Sequence, residues 1–481
     1  MVSTIKDCWH IQEVAASLLC AKSSKSNASY LQTYVYRDGE FMSDFKTVSP
    51  GDLIYVFNSL GHERTEIIEL VSSSPNLRVV DHNKKDLTVQ INPIWKYTAD
   101  QSISISRRSF GLAFGVTVAP MALELFTVKE TQAATTGTSA AAVYCSRCAV
   151  EEAEAAGPFP FELRPIGAGD VQLENYNYRL IFDEVTGFLK TLVEKDADAE
   201  RVVSVDYGAF RASGAGAGMY VFSTNSTKPM DDPLRQYRLG VEAKATIIVS
   251  GLVASEITSI FSRLLQHTVK IYNLVHGALS KSVIVRSKVD YEATPKNRDL
   301  ELFLFIQTDI WNGSPSRLYT DNNGFQLTAR YLNMSRRVES NVYPMTTMAI
   351  IEDQRSRFTV VADHAQGVTS LREGQLVLML DRRVLHDDGR GTGEALADSV
   401  LTTHTHILLL EHFKPLAERP PPPDVVVPSA SAVQLSHALN YPVDVFVADR
   451  TQPGFAYYAF LPMLKVSFPC DVAVLTYRLD V

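Results

Sequence analysis

The sequence predicts a mainly β protein, with large antiparallel β-sandwich (supersandwich) domains and a short N-terminal helix. Most of the 481-residue chain alternates between short runs rich in Val, Ile, Phe and Thr and turns that contain Gly, Asn or Asp. This is the usual pattern of strands joined by turns. A clear helical spacing of apolar residues occurs only in residues 3–21. A long succession of strands with so little helix favours packed antiparallel sheets.

Composition argues against several classes of function. The chain is 46% hydrophobic, which is enough for a large core, and its formal net charge is −8. It has no block of five or more basic residues, so we do not expect it to bind nucleic acid or an anionic membrane surface. It has no run of 18 apolar residues, so we predict no membrane span in this chain.

Residues 3–21 open the chain with a predicted amphipathic helix. Its apolar positions are Ile5, Cys8, Trp9, Ile11, Val14, Ala15 and Leu18. Charged residues interrupt them, so the stretch lacks the continuous apolar segment of a signal peptide. Because a helix with one apolar face has to cover it, we expect this helix to pack against another element.

A small β-domain is predicted over residues 29–130, followed by a low-complexity linker over residues 131–168. The strands of the domain are expected at Leu53–Phe57, Glu66–Val71, Leu87–Ile91, Phe114–Val118 and Leu123–Val128. The linker is rich in Ala, Thr, Ser, Gly and Glu and has little to bury. Cys145 and Cys148 form a CxxC pair inside it. No second pair with ligand spacing follows, so we predict no metal site there.

A large β-supersandwich is predicted over residues 169–418. Strong strand signals occur at Tyr178–Phe182, Glu301–Ile306, Phe358–Ala362, Gln375–Leu380 and His404–Glu411. Residues 250–265 could be taken for a helix, but Val, Ile, Thr and Phe dominate them and favour strands. Four prolines begin at Pro420. Residues 419–481 are therefore predicted as a Pro-rich linker and a C-terminal β-segment.

Four Asn-x-Ser/Thr sequences are candidate N-glycosylation sites, with chance occurrence as the alternative. They lie at Asn27, Asn225, Asn312 and Asn333. The five cysteines are too few to build a disulfide scaffold, and they leave the redox compartment open.

Six strings in the same order resemble glycoside hydrolase family 38, and within it the Golgi α-mannosidase branch. They are VFNSLG (residues 56–61), YTDNNGFQ (319–326), YPMTTMA (343–349), GVTSL (367–371), LDRRVLHDDGRG (380–391) and SFPCD (467–471). The length of the fifth string and the shared order make the set specific. The resemblance covers roughly residues 50–128 and 170–412 and the tail.

The resemblance implies a retaining, zinc-dependent α-mannosidase that trims N-glycans in the secretory pathway, in the Golgi lumen. In this family an N-terminal α/β barrel supplies the zinc ligands and the nucleophile, and a helical bundle and β-domains follow. The His-x-Asp-Pro-Gly-Trp and His-Asp-Ala motifs are not found in this sequence. By resemblance, residues 1–28 would be the last helix of the bundle. Zinc would bind outside this chain, and the partners would be mannose-containing glycans and an N-terminal catalytic half.

The same resemblance gives Asp387, Asp388 and Arg390 a role on the substrate side of the sugar pocket. Retaining hydrolysis needs two carboxyl groups on opposite sides of the scissile bond, and adjacent residues of one loop cannot easily supply them. We therefore predict no catalytic residue in this chain. A purely structural, salt-bridged turn is the alternative for this loop, in which glycines permit a tight backbone.

Four further candidates are weighed in the same way. Tyr220 resembles a family tyrosine whose hydroxyl reaches the pocket, and a buried core tyrosine is the alternative. His404 and His406 share one strand face, but no third ligand is placed, so a solvated strand face is favoured over a metal site. His386 could tune the acidic loop electrostatically, and an exposed surface histidine is the alternative. Asp321 begins a turn, and a sugar- or cation-binding role for it is secondary.

Three hypotheses for function follow. The chain could be the C-terminal, non-catalytic part of an α-mannosidase that supplies carbohydrate-binding and pocket-closing residues. It could be a stand-alone β-sandwich that binds glycans without hydrolysing them. It could also be a remnant with structural interactions only. The sequence leaves open whether the chain alone is an enzyme.

Overall fold

Strands dominate the protein, so the predicted fold class is confirmed. The structure is a computed structural model that describes residues 10–17, 32–34, 47–131, 137–151, 159–210, 212, 216–224, 237–239, 242–261, 263–291, 299–332, 337–397, 400–413, 423–448, 460–462, 464 and 466. No helix in these ranges is long and apolar enough to cross a membrane.

The elements are numbered in chain order. The helices are α1 (residues 10–17) and α2 (Ala430–Asn440). The strands are β1 (Gln32–Tyr34), β2 (Leu53–Phe57), β3 (Arg64–Ser72), β4 (Leu77–Val80), β5 (Val89–Tyr97), β6 (Ile103–Val118), β7 (Ala122–Glu130), β8 (Thr138–Ala140), β9 (Ala142–Cys145), β10 (Cys148–Val150), β11 (Leu163–Arg164), β12 (Val171–Glu174), β13 (Tyr178–Phe182), β14 (Leu189–Glu194), β15 (Ala199–Phe210), β16 (Tyr237–Leu239), β17 (Ala245–Ser250), β18 (Ala254–Ile260), β19 (Leu265–Tyr272), β20 (Val283–Val289), β21 (Leu300–Thr308), β22 (Arg317–Asp321), β23 (Leu327–Tyr331), β24 (Tyr343–Met345), β25 (Met348–Glu352), β26 (Ser356–Ala362), β27 (Gln366–Thr369), β28 (Gln375–Arg383), β29 (Thr402–His412), β30 (Val425–Val426), β31 (Asp444–Ala448) and β32 (Phe460–Pro462).

The chain divides into two compact units, and the first consists of Met1–Arg164, Val249–Ala254 and Tyr441–Val481. One of its sheets has the strand order β1-β31-β2-β7-β32, with β4 also paired to β7. The other has the order β10-β6-β5-β8, with β3 also paired to β6. Helix α1 is found where it was predicted. Its Ala16 packs in a cluster with Leu53, Tyr55 and Phe446, so the first sheet covers part of the apolar face of the helix.

The predicted linker at 131–168 differs from the structure, because residues 137–151 contribute strands to the first unit. β8 pairs with β5, and β10 pairs with β6, both in parallel. Cys145 and Cys148 are joined by a disulfide bond. Edge pairing uses backbone hydrogen bonds and needs few large side chains, so the small-residue composition was compatible with short strands.

The second unit, Pro165–Ile248 and Ser255–Asn440, contains two large and mainly antiparallel sheets. One has the order β12-β13-β14-β15-β21-β28-β27-β24, with β16 paired to β15. The other runs β17-β18-β19-β20-β29-β26-β25-β22-β23-β30. The hydroxyl of Tyr207 on β15 lies 2.7 Å from Nδ1 of His267 on β19 and 2.7 Å from Oγ of Ser287 on β20. These buried contacts between the sheets define a sandwich.

Helix α2 lies in a stretch that was predicted as β-segment, so this prediction was wrong at residues 430–440. The Ser429 hydroxyl accepts the N–H of Ala432 at 3.1 Å and caps the helix. Ala432 and Leu435 are buried in the core of the second unit. The cap and the three-residue spacing of these side chains favour a helix over a strand here.

Candidate functional site

The loop that carries the sequence DDGRG begins where β28 ends. Val384 and Leu396 exchange both backbone hydrogen bonds, at 3.0 and 2.9 Å, and so close the loop at its base. Val384 is buried against Ala212 and Ala217. Three glycines of the loop have positive φ: Gly389 (71°), Gly391 (105°) and Gly393 (67°). Glycine adopts this conformation without steric cost, so the sequence suits a tightly curved loop on a closed base.

The carboxylate of Asp388 binds a second segment of the chain. Its Oδ2 accepts the N–H of Tyr220 at 2.7 Å and the N–H of Val221 at 2.9 Å, and its Oδ1 accepts the N–H of Arg390 at 3.2 Å. Desolvation would raise the pKa of Asp388, but the N–H groups of Val221 and Tyr220 stabilise the anion and lower it overall. The ionised side chain therefore joins the DDGRG loop to residues 220–221.

Gly218 makes this close approach possible. A Cβ atom at this position would lie 2.5 Å from the backbone nitrogen of Asp388 and 2.7 Å from its Cγ. Since such distances are far below van der Waals contact, only glycine fits there without moving the loop. The sequence analysis did not identify Gly218 as part of the site.

A buried ion pair also binds the segment that contains Gly218 and Val221. Arg382 donates to both carboxylate oxygens of Glu301, from Nε at 2.6 Å and from Nη2 at 3.0 Å. Nη2 also donates to the carbonyls of Gly218 at 3.2 Å and of Val221 at 3.1 Å. Glu301 is completely buried. Burial raises its pKa, although the hydrogen bonds and charge of Arg382 oppose this effect.

The sequence analysis missed this pair. The available signal was a single acidic residue within the apolar run of residues 300–306 in strand β21. A buried charge of this kind requires a partner, and Leu300 of β21 pairs with Arg383 at the end of β28. The two strands therefore bring Glu301 and Arg382 together.

The structure brings the predicted site residues into one region. Tyr220 is 66% exposed, so the alternative of a buried core tyrosine is wrong. Arg390 and Asp387 are also exposed, and Oδ1 of Asp387 accepts the hydroxyl of Thr392 at 3.1 Å. Asp388 differs from the other three, because backbone N–H groups already occupy its oxygens.

His386 lies at the base of this loop. Its Nε2 is 3.8 Å from Oδ2 of Asp299. The other oxygen of Asp299 accepts the N–H of Leu385 at 2.7 Å. Asp299 therefore ties the start of the loop to the beginning of β21.

His404 and His406 are buried, so the expected solvated strand face is wrong. Strand β29 lies between β20 and β26, inside its sheet. Nδ1 of His404 is 3.2 Å from Nε2 of His364, and Nε2 of His406 is 2.8 Å from Oε1 of Gln366. Burial lowers the pKa of His404 to about 3 and that of His406 to about 4. Among the residues that the structure describes, no three His, Cys, Asp or Glu side chains are grouped to hold a metal ion.

The predicted turn at Asp321 is a structural feature. Its buried carboxylate accepts backbone N–H groups from Gly324, Thr346, Thr347 and Met348 at 2.8 to 3.1 Å. It also accepts the Thr347 hydroxyl at 2.8 Å. These five donors occupy both carboxylate oxygens, so Asp321 links the β22–β23 turn to the start of β25.

Of the four candidate glycosylation sites, Asn312 alone lies within the described ranges, and Asn27, Asn225 and Asn333 lie outside them. Asn312 is buried. Its Nδ2 donates to the carbonyl of Arg317 at 2.7 Å and to the hydroxyl of Ser370 at 3.0 Å, and its Oδ1 accepts the N–H of Gly374 at 2.8 Å. The folded protein thus uses the nitrogen to which a glycan would be attached.

Comparison with known proteins shows what this sandwich and its loop are similar to. Residues 173–390 match the model of the Glycosyl hydrolases family 38 C-terminal domain, and the resemblance expected from the sequence is confirmed. The matched range includes both Tyr220 and the DDGRG sequence up to Arg390.

The chain is similar to proteins called Alpha-mannosidase 2. It is 34% identical over 452 residues to the one from Spodoptera frugiperda, a match that covers 88% of this chain and 39% of that protein. It is 26% identical over 429 residues to the one from Homo sapiens, covering 88% and 35%. Alpha-mannosidase 2x from Mus musculus is 30% identical over 437 residues, covering 89% and 36%. The chain thus spans between a third and two fifths of the length of these relatives.

A crystal structure of an alpha-mannosidase from Enterococcus faecalis V583 is also similar. The match has a TM-score of 0.49 and 12% sequence identity, and it covers 85% of this chain and 47% of that one.

Proposed function

We propose that this chain supplies the C-terminal, non-catalytic part of a zinc-dependent retaining α-mannosidase that acts on N-glycans. Its role is to contribute residues that bind the carbohydrate and close the sugar pocket. The observation that carries the proposal is the contact of Asp388 with the N–H groups of Tyr220 and Val221. This contact holds two exposed polar side chains, Tyr220 and Arg390, on adjoining segments within the region that matches the family model.

Under this proposal some side chains contact the sugar and others hold those side chains in position. Tyr220 can donate and accept one hydroxyl hydrogen bond, and Arg390 offers a planar fork of donors that suits vicinal sugar oxygens. Asp387 supplies an acceptor for sugar hydroxyls. Asp388 acts as a positioning residue, because its oxygens already accept backbone hydrogen bonds. Arg382 and Glu301 position the Tyr220 segment from beneath.

The reactive groups are proposed to come from an N-terminal catalytic half. Retaining hydrolysis uses two carboxyl groups roughly 5 Å apart across the scissile bond. Asp387 and Asp388 are neighbours in one loop, and the bonds of Asp388 commit it to the backbone. No residue grouping in the described ranges fits a zinc ion. We therefore assign no hydrolytic step to this chain. We also propose that the complete enzyme acts in the secretory pathway, in the Golgi lumen.

The test combines activity and binding. The purified chain with added zinc is assayed on an aryl α-mannoside, and no turnover is expected. Binding of a mannose-containing glycan is then measured for the chain joined to a family catalytic half, with Arg390→Ala and Tyr220→Phe as variants. Each variant should weaken binding about tenfold, which corresponds to the loss of one good hydrogen bond. Arg355→Ala, a change at another exposed arginine of the second unit, is the matched control.

Turnover by the chain alone would contradict the proposal, because it would require a nucleophile and acid within these residues. Unchanged binding in both site variants would remove the carbohydrate role of the loop. A stand-alone glycan-binding module is the second candidate, and the exposure of Tyr220 in this chain favours it. Binding without a catalytic half, at the same affinity as with it, would select that function.

A further inference from the structure

A cavity of about 470 Å³ opens in the second unit. It is bordered by the turn after β14, a 3₁₀ turn at Ala278–Lys281, the end of β29 and the helix α2. Its volume is within the roughly 300–1,000 Å³ that is common for small-molecule sites. The polar side chains used below are Glu194, Asp196, Lys281, Glu411, His412 and Gln434.

The cavity lies at the opposite end of β15 from the DDGRG loop. Glu194 pairs with Ala199 at the beginning of β15, and Phe210 pairs with Glu301 at its end. β15 has 12 residues, so the two ends are roughly 36 Å apart at the usual rise of a strand. One ligand of monosaccharide size cannot reach both places.

Hydrogen bonds hold three side chains of the cavity wall in place, those of Glu194, Glu411 and His412. Nε2 of His412 lies 2.7 and 2.8 Å from the two oxygens of Glu194, and its Nδ1 lies 3.0 Å from the hydroxyl of Ser356. Because both ring nitrogens have partners, the ring is fixed. Oε2 of Glu411 accepts the hydroxyl of Ser429 at 2.8 Å. A rigid wall reduces the entropy that a ligand would lose on ordering it.

The chemistry of the wall is mixed. Glu194, Asp196 and Glu411 supply acceptors, Lys281 supplies ammonium donors, and Gln434 supplies both. The charge of Glu194 is partly balanced by Arg201, whose Nη1 lies 3.8 Å from Oε1 of Glu194. The cavity does not meet the requirements of a metal ion, because no suitable cluster exists among the described residues. Its carboxylates also oppose an apolar ligand, which could not replace their hydration.

We propose that this cavity binds a small neutral polyol of monosaccharide size. Hydroxyl groups can donate to the carboxylates and accept from Lys281 and Gln434 at the same time, which neither a simple cation nor an anion can do. Leu409 and Leu410 provide an apolar part of the wall for the carbon skeleton. The site is a second one, separate from the loop to which the function above is assigned.

The full chain is titrated with D-mannose, D-glucose, D-galactose, myo-inositol and spermidine, with binding followed by calorimetry and ligand-observed NMR. The variants Asp196→Asn and Gln434→Leu alter exposed positions of the wall. Asp198→Asn is the matched control: it lies in the same turn, outside the wall, and its φ of 45° is one that asparagine tolerates. Arg390→Ala separates this site from the DDGRG loop.

At least one polyol should bind saturably, at roughly millimolar Kd. Each wall variant should raise this Kd by about tenfold, the effect of losing one hydrogen bond between the ligand and Asp196 or Gln434. Asp198→Asn should leave the Kd unchanged. The proposal is overturned if no polyol binds, if spermidine alone binds, or if Asp198→Asn weakens binding as much as the wall variants. Binding that is lost only in Arg390→Ala would also overturn the cavity proposal and would indicate that the polyol binds at the DDGRG loop. The two proposals can therefore fail independently.

Discussion

A single carboxylate, that of Asp388, fixes the conformation of two loops that are far apart in the sequence. It accepts two consecutive N–H groups, from Tyr220 and Val221, and backbone donors of this kind stabilise an ionised carboxylate strongly. Within the part of the chain that the structure describes, its neighbour Asp387 accepts only the hydroxyl of Thr392. The two adjacent acidic residues therefore have different structural roles, and the sequence pattern DDGRG does not distinguish them.

Asp388→Ala should release the Tyr220 segment without unfolding the protein. The N–H groups of Tyr220 and Val221 lose their acceptor, so their amide hydrogen exchange should become faster while the melting temperature stays nearly the same. Hydrogen-exchange mass spectrometry checks this over residues 216–224. Asp387→Ala is the control and should leave the exchange of that segment unchanged. Equal acceleration in both variants would contradict the role given to Asp388.

Arg382→Met should destabilise the protein by about 3–5 kcal/mol at neutral pH, because Glu301 would remain buried without a partner. Burial already raises the pKa of Glu301, and loss of Arg382 removes the opposing effect. An acid with a raised pKa in the folded state binds its proton more readily there than when unfolded. Stability therefore falls as the pH rises from the ordinary glutamate pKa to the folded one.

Urea unfolding at pH 4.5 and pH 7 measures this effect. The deficit of the variant should be smaller at the lower pH. The double variant Glu301→Leu/Arg382→Met is the control, since it removes both charges and should recover much of the stability. A deficit that is the same at both pH values would show that the buried charge is not its cause.

Buried histidines should make the second unit sensitive to acid. The pKa of His404 is lowered by burial from about 6.5 to about 3, so the unfolded state takes up a proton first as the pH falls below 6.5. The resulting loss of stability grows down to about pH 3 and is about 2 kcal/mol at pH 5 for this residue. His404→Gln should remove that part of the pH dependence. Unfolding measured between pH 7 and pH 5 tests it, with the exposed His386→Gln as control; parallel profiles for wild type and His404→Gln would refute it.

At the scale of elements, the sequence predicted the central strands well and the edges poorly. β21 and β28 are long apolar runs whose burial dominates their stability, so their residue types indicated them. β8 and β10 are three-residue strands held by backbone pairing. Because backbone hydrogen bonds require few particular residue types, the composition of these strands did not indicate them. The DDGRG loop could be predicted because its glycines and acidic residues are adjacent in the sequence. The Arg382–Glu301 ion pair could not, because it depends on which two strands pair.

Helix α2 depends on its cap. Ser429→Ala removes the acceptor of the Ala432 N–H and the donor to Glu411, and loss of such a cap costs about 1 kcal/mol. Chemical denaturation of the second unit should show a deficit of that size. Ser431→Ala, a change within the first turn that leaves the cap intact, should cost much less. Equal losses would indicate that the hydroxyl of Ser429 does not stabilise the helix.

At the scale of the whole molecule, the two units differ in how many separate segments of the chain form them. The second is formed mostly by continuous sequence, whereas the first combines three separate stretches. In the first unit β31 pairs with β1 on one side and with β2 on the other. Phe446 and Ala448 of β31 are buried with Leu53 and Tyr55 of β2, so the C-terminal part of the chain is integral to the first unit.

A chain that ends at Asn440 should therefore keep the second unit and lose the first. Removal of β31 leaves β2 without one neighbour and exposes the apolar residues that it covered. Limited proteolysis should cut the shortened chain within residues 47–131 and spare residues 299–332. Protection of both regions would show that the first unit does not need β31.

The position of β31 also sets an order of events during synthesis on the ribosome. Strand β31, which pairs with residues 53–57, is made almost four hundred residues after them. Until β31 is made, the edge of β2 that it covers has no partner, and an unpaired strand edge is a place where another chain can add a strand. The second unit ends at Asn440, so all of its residues are made before β31.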